Sequence, residues 1–133
     1  MSELKHKSDF NKHAADLLIT NNLYAPSVHS SYYRCIQLML YIIFHKKQLK
    51  TRSDFSIEAK NRRDGSHGHA IYLIELELAK KSRDSFKSFQ ALVPKLKEYR
   101  EKSDYLDDQI KQQDGIDARA KADSIVNILN KSF

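Results

Sequence analysis

Arg62, Arg63, His67 and His69 fall within one eight-residue stretch, RRDGSHGH, and those residue types together can do acid–base chemistry on a phosphate ester. An imidazole that titrates near neutral pH can take the proton of a ribose 2′-OH, while a guanidinium holds the scissile phosphate and stabilises developing charge. Asp64 stands beside Arg63, and His67 and His69 come four and six positions after Arg63. Arg63 with His67 or His69 is the set that could supply those two groups. The bland alternative is a solvated glycine-containing turn that satisfies a loose spacing rule by chance.

A second group could bind phosphate without transforming it. Between Lys46 and Arg63 stand Lys46, Lys47, Lys50, Arg52, Lys60, Arg62 and Arg63 against only Asp54 and Glu58. Nearly all of the formal charge of +6 therefore sits in one segment, which marks a local surface suited to a polyanion. Clustered Lys and Arg also simply keep surfaces soluble. Tyr33 and Arg34, next to Tyr32, can add aromatic stacking and Arg–phosphate pairing, with Tyr33 and Arg34 turned progressively away from the core face. Tyr32 shares its helical face with Val28, Ile36 and Met39 and is expected in the core.

Other chemistries find little material. Among six histidines only His67 and His69 are close, with no Cys or Glu at ligand spacing beside them, so no metal site is expected. No P-loop, dinucleotide-binding glycine turn or nucleophile elbow occurs, and no cofactor is implied. The lone Cys35 lies in an apolar run and cannot form an internal disulfide. The N-terminus MSELKHKSDF lacks the apolar stretch of a secretory signal, which points to the cytoplasm.

The elements that must position these residues are helical. At 133 residues, with 41% hydrophobic and 30% charged residues, the chain suits one domain spanning 1–133 with a real core. Three Gly and two Pro leave little for the turns of a β-rich fold. The stretch Ser27 to Phe44 is apolar around most of a helix, so other helices must cover it on several sides; it is too short and interrupted to span a membrane. It forms the centre of a helix starting near Pro26 and running to Lys50.

Around it, periodicity predicts a first helix over about Glu3 to Thr20, with Phe10, Ala14, Leu17 and Leu18 on its apolar face and Asn21 and Asn22 ending it. Ser53 caps a short third element through Lys60. The glycines of RRDGSHGH favour a turn, after which Ser66 caps a helix carrying Ile71, Ile74 and Leu78 inward. A fifth segment from Asp84 shows Phe86, Phe89, Val93, Leu96 and Tyr99, with a kink or break at Pro94. Asp114 or Asp117 caps the last helix, which presents Ala122, Ile125, Val126, Leu129 and Phe133. The architecture predicted is an all-α antiparallel bundle of about five or six helices.

Three separated stretches carry a resemblance: KHAADLLITNNLYAPSVHSSYYRC, the GSHGHAIYLI turn and helix, and EYREKSDYLDDQI followed by ARAKADSIVNILNKSF. In their order and spacing, from approximately Lys12 to Phe133, they resemble the HEPN family of small helical bundles. The tract around Arg100, Ser103, Asp104 and Tyr105 is similar to the Arg-x-x-(Ala/Ser)-Asp-Tyr signature of one branch. This resemblance implies a homodimer associated with RNA or nucleotide, often beside a small nucleotidyltransferase partner and in a toxin–antitoxin or regulatory setting. Nuclease members of the family carry an Arg, a polar residue and, four to six residues after the Arg, a His, and cleave RNA without metal at the dimer interface; the resemblance would put that pattern on Arg63, Asp64 and His69, with Arg62 and His67 as a second match. Here the tract at Arg100 has no such His, and Asp104 one turn later suits pairing with Arg100 better than the work of a base.

The leading expectation is thus a HEPN-like bundle that binds RNA or nucleotide through Lys46 to Arg63, with a nucleotidyltransferase-type partner. Two alternatives stand beside it. One is a metal-independent endoribonuclease using Arg63 with His67 or His69, and the other is a structural module for dimerisation or protein docking.

Overall fold

The computed structural model describes residues 2–105 and 109–133, with only the backbone of Tyr105, so the side-chain part of the signature at Tyr105 lies outside the described residues. Six α-helices follow one another: α1 (Glu3–Thr20), α2 (Tyr24–Tyr41), α3 (Arg52–Lys60), α4 (Gly65–Lys81), α5 (Arg83–Tyr105) and α6 (Gln112–Ser132), and the described residues contain no strand. The helix α2 is central, because α1, α4, α5 and α6 all pack against it. Its Val28, Tyr32, Cys35, Ile36, Leu38 and Met39 are buried with Ile74 and Leu78 of α4, Phe89 and Leu96 of α5, and Ile125 and Leu129 of α6. Each such aliphatic side chain contributes roughly 1.5–3 kcal/mol on burial, so this shared stripe dominates the cohesion of the bundle.

The bounds follow local chemistry. Ser2 caps α1, its hydroxyl accepting from the Leu4 amide at 3.2 Å, and Asn22 closes the helix in the left-handed region at φ 62°. A different face of α1 is buried from the one periodicity suggests: Ser8, Ala15 and Ile19 turn inward, while Phe10 and Leu17 are 73% and 65% exposed. The cause lies in the partner. Small residues let α1 approach α2, and polar groups fix the contact, with Ser8 Oγ donating to the Arg34 carbonyl at 2.8 Å and Asn11 to Gln37 at 2.7 Å.

Other expectations are corrected. The α2 helix stops short of Lys50, because residues Ile42–Lys46 widen into a π-helical turn and Gln48 adopts φ 49°. Thr51, not Ser53, caps α3, accepting from the Asp54 amide at 3.1 Å. The RRDGSHGH turn ends at Gly65, whose φ of 71° only glycine adopts readily; from there α4 begins, so Ser66, His67, Gly68 and His69 are helical and Ser66 is no cap. Likewise α5 continues through Pro94 without interruption, and Asp114 sits inside the first turn of α6, accepting from the Lys111 amide at 2.9 Å.

Candidate functional site

Helical phase places His67 and His69 in different surroundings, although two residues separate them. His69, only 5% exposed, has its Nε2 2.7 Å from Glu58 of α3, with the Phe55 ring 5.0 Å away. Glu58 also accepts from Lys50 at 2.7 Å, and those two bonds, the Lys50 bond foremost, hold its carboxyl below the usual range. His69 therefore fastens α4 to α3. His67, two residues earlier and so nearly on the opposite side of the helix, faces α2 and α5 instead.

There it lines a cleft with Tyr32, Asp64, Gly65, Ser66, Lys97 and Arg100. The positioning is local in origin. Tyr32 is held by the core stripe of α2, His67 by the first turn of α4, and Lys97 and Arg100 lie three apart on one face of α5. The Tyr32 hydroxyl is 3.2 Å from His67 Nδ1, and the Arg100 guanidinium carbon lies 4.6 Å over the Tyr32 ring. The Tyr33 ring stands between two imidazoles, 4.5 Å from His29 and 5.4 Å from His67 by ring centroids. His29 in turn meets Asp104 at 3.3 Å, and Asp104 meets Arg100 at 3.8 Å.

Electrostatics tune this group. Burial pushes the Tyr32 hydroxyl up to about 12 despite the opposing pull of Arg100, so the phenol keeps its proton. Burial lowers the His67 pKa, and the charges of Arg100 and Lys97 lower it further, so the imidazole is neutral at pH 7. Tyr32 is 1% exposed and its hydroxyl lies against His67 Nδ1; in the tautomer that carries its proton on Nε2, the Tyr32 O–H donates to Nδ1. In that tautomer His67 is a hydrogen-bond donor toward a ligand through Nε2. Lys97 and Arg100 supply two positive charges beside it, and Asp64 supplies one negative charge, itself held by Arg62 at 2.9 and 3.0 Å.

The other sequence-derived residues scatter. Arg34 is buried rather than outward, paired with Asp123 of α6. Arg63 is exposed and does not line the cleft, whose guanidinium comes from Arg100. Lys46, at the end of the π turn, and Lys47, just after it, are exposed, and Arg52 lies 5.1 Å over the Phe44 ring. Lys50 and Arg62 already hold carboxylates, so the basic segment is partly neutralised by its own fold. Lys97 and His29 were missed by the sequence reading. Their signal was helical spacing, three residues before Arg100 and three before Tyr32, but nothing local joins those two helices. Among the described residues no three His, Cys, Asp or Glu side chains converge as metal ligands, and no helix is long and apolar enough to cross a membrane. Comparison with protein families, with curated proteins and with solved structures gives no match to this chain.

Proposed function

We propose that this bundle binds a phosphate-bearing ligand, RNA or nucleotide, in the cleft between α2, α4 and α5, as a HEPN-like module working with a nucleotidyltransferase-type partner in a regulatory or toxin–antitoxin-like setting. The observation that carries the reading is the convergence of Lys97, Arg100 and the His67 imidazole on one cleft, with Tyr33 available to stack a base. Binding is favoured over cleavage by the sense of one hydrogen bond. With Nδ1 occupied by the Tyr32 hydroxyl and the proton on Nε2, His67 donates and lacks the bare lone pair of a general base. The dimer and partner contacts that the reading calls for find apolar surface on α1, where Phe10 and Leu17 are exposed.

A labelled mixed RNA pool, incubated in EDTA with wild type and with Lys97→Ala and His67→Ala variants, tests both halves of this reading. Binding without cleavage is expected, weakened about fivefold or more in Lys97→Ala. Metal-independent cleavage abolished by His67→Ala would instead establish the ribonuclease. Affinity indifferent to Lys97 would remove the cleft from the interface.

A further inference from the structure

The Asp104 carboxylate occupies ground that an anionic ligand would contest. Its oxygens reach Arg100 at 3.8 Å and His29 Nδ1 at 3.3 Å, with Ser103 Oγ 3.4 Å away. Arg100 has little freedom to leave, since its guanidinium lies over the Tyr32 ring and its side chain is only 13% exposed. A phosphate arriving at the cleft therefore meets a guanidinium whose charge is already shared with an internal carboxylate. The same carboxylate is shared a second time, with the more exposed His29 on α2. Among the described residues, the other charged or titratable groups around this point include Lys97 and Glu101 on α5, Tyr32 and Tyr33 on α2, and His67 and Asp64 on the α4 side.

We infer that Asp104 is a built-in competitor for the ligand's phosphate at Arg100, and that His29 tempers the competition by holding the same carboxylate aside. The inference rests on the phosphate-binding reading above and adds a regulatory contact to that site. It separates two roles that the geometry alone leaves together. A residue that merely orients His29 for the ligand would lower affinity when neutralised; a competitor raises affinity when neutralised. His29 gives the second signature through Asp104, and a background lacking the Asp104 carboxylate separates that route from its other neighbour, the Tyr33 ring. Removing the imidazole leaves the carboxylate wholly to Arg100 and weakens binding, but only while the carboxylate is there.

Fluorescence anisotropy with a short 5′-labelled single-stranded RNA, and with inorganic phosphate as competitor, decides the matter on the full chain. The Asp104→Asn variant is expected to bind about threefold to tenfold tighter than wild type, as removal of one charge near a partly exposed guanidinium allows. His29→Ala is expected to bind about twofold or more weaker, and the double variant to match Asp104→Asn. Thermal melts by circular dichroism establish that the variants are folded, and Asp104→Ser, neutral and smaller, must reproduce the gain. Wild-type binding that depends on Lys97 but is unchanged or weakened by Asp104→Asn overturns the competitor and leaves the binding cleft standing. Weakening by His29→Ala in both backgrounds would place its effect on the ligand or on Tyr33 rather than on Asp104, and also overturn it. No binding by wild type or by Asp104→Asn would overturn the cleft and the competitor together.

Discussion

His67 has the environment of a neutral donor, and that is a measurable property of one imidazole. Burial and the charges of Arg100 and Lys97 act in the same direction, toward the uncharged form. In the folded protein His67 is therefore expected to titrate below the ordinary 6.5, and Lys97→Ala to bring its midpoint back upward, both read from the imidazole proton shifts by NMR. The sign for stability follows. A histidine whose folded pKa is lowered favours folding above 6.5, and that contribution is lost as pH falls toward the folded value, because the unfolded chain binds the proton first. An imidazole titrating at or above 6.5, unmoved by Lys97→Ala, would contradict the cleft's electrostatics and with them the donor role. Arg34 shows the opposite case at the same scale. It looked outward by position on α2, yet its guanidinium is committed to Asp123, and its backbone carbonyl to Ser8.

Elements differ in how far their own sequence determines them. The bounds of α1 and the burial of Tyr32, Ile36 and Met39 were legible, because caps and helical periodicity are local signals. The buried face of α1 was not, since Phe10 and Leu17 look like a core stripe until α2 offers Arg34 and Gln37 to polar partners on another face. The two glycines of RRDGSHGH look alike in sequence but play different parts. Gly65 supplies a left-handed turn residue, whereas Gly68 is helical and leaves room for the Asp64 carboxylate, which any Cβ there would strike. The π turn after α2 left no sequence signal of its own, and the cleft brings His67 of α4 together with Arg100 of α5 across 33 positions. Glu58 ties three of these elements together, receiving Lys50 from beyond the π turn and His69 from α4. Its folded pKa is lowered, so its contribution is present above about 4.5 and disappears as pH falls through the folded value. Thermal melts between about pH 6 and about pH 3 should accordingly fall less steeply for Glu58→Gln than for wild type. Equal slopes would mean that the carboxylate adds nothing to the α3–α4 junction.

Across the whole molecule, two basic regions are candidates for one polyanion, and their separation distinguishes a nucleotide from a strand. The cleft offers Lys97 and Arg100, while Lys46 and Lys47 lie fourteen and fifteen residues beyond Tyr32 along α2 and its π turn. At helical rise that is roughly 20 Å, beyond the reach of any single nucleotide seated on Tyr32 and Arg100. Lys46, Lys47, Lys60 and Arg63 carry no carboxylate partner among the described residues, so they are open to a ligand that extends to them. A nucleotide should therefore ignore Lys46→Glu/Lys47→Glu, within about twofold, and show a shallow salt dependence. Two contacts on a single strand give a slope of roughly −1.4 in log affinity against log salt. A strand long enough to pass from the cleft to the π turn should lose affinity in the same variant and steepen by roughly 0.7 for each further cation engaged. Titrations of a nucleoside triphosphate and a longer single-stranded RNA across a salt series provide both readings. If the nucleotide is weakened by Lys46→Glu/Lys47→Glu as much as by Lys97→Ala, the basic segment and not the cleft carries the phosphate.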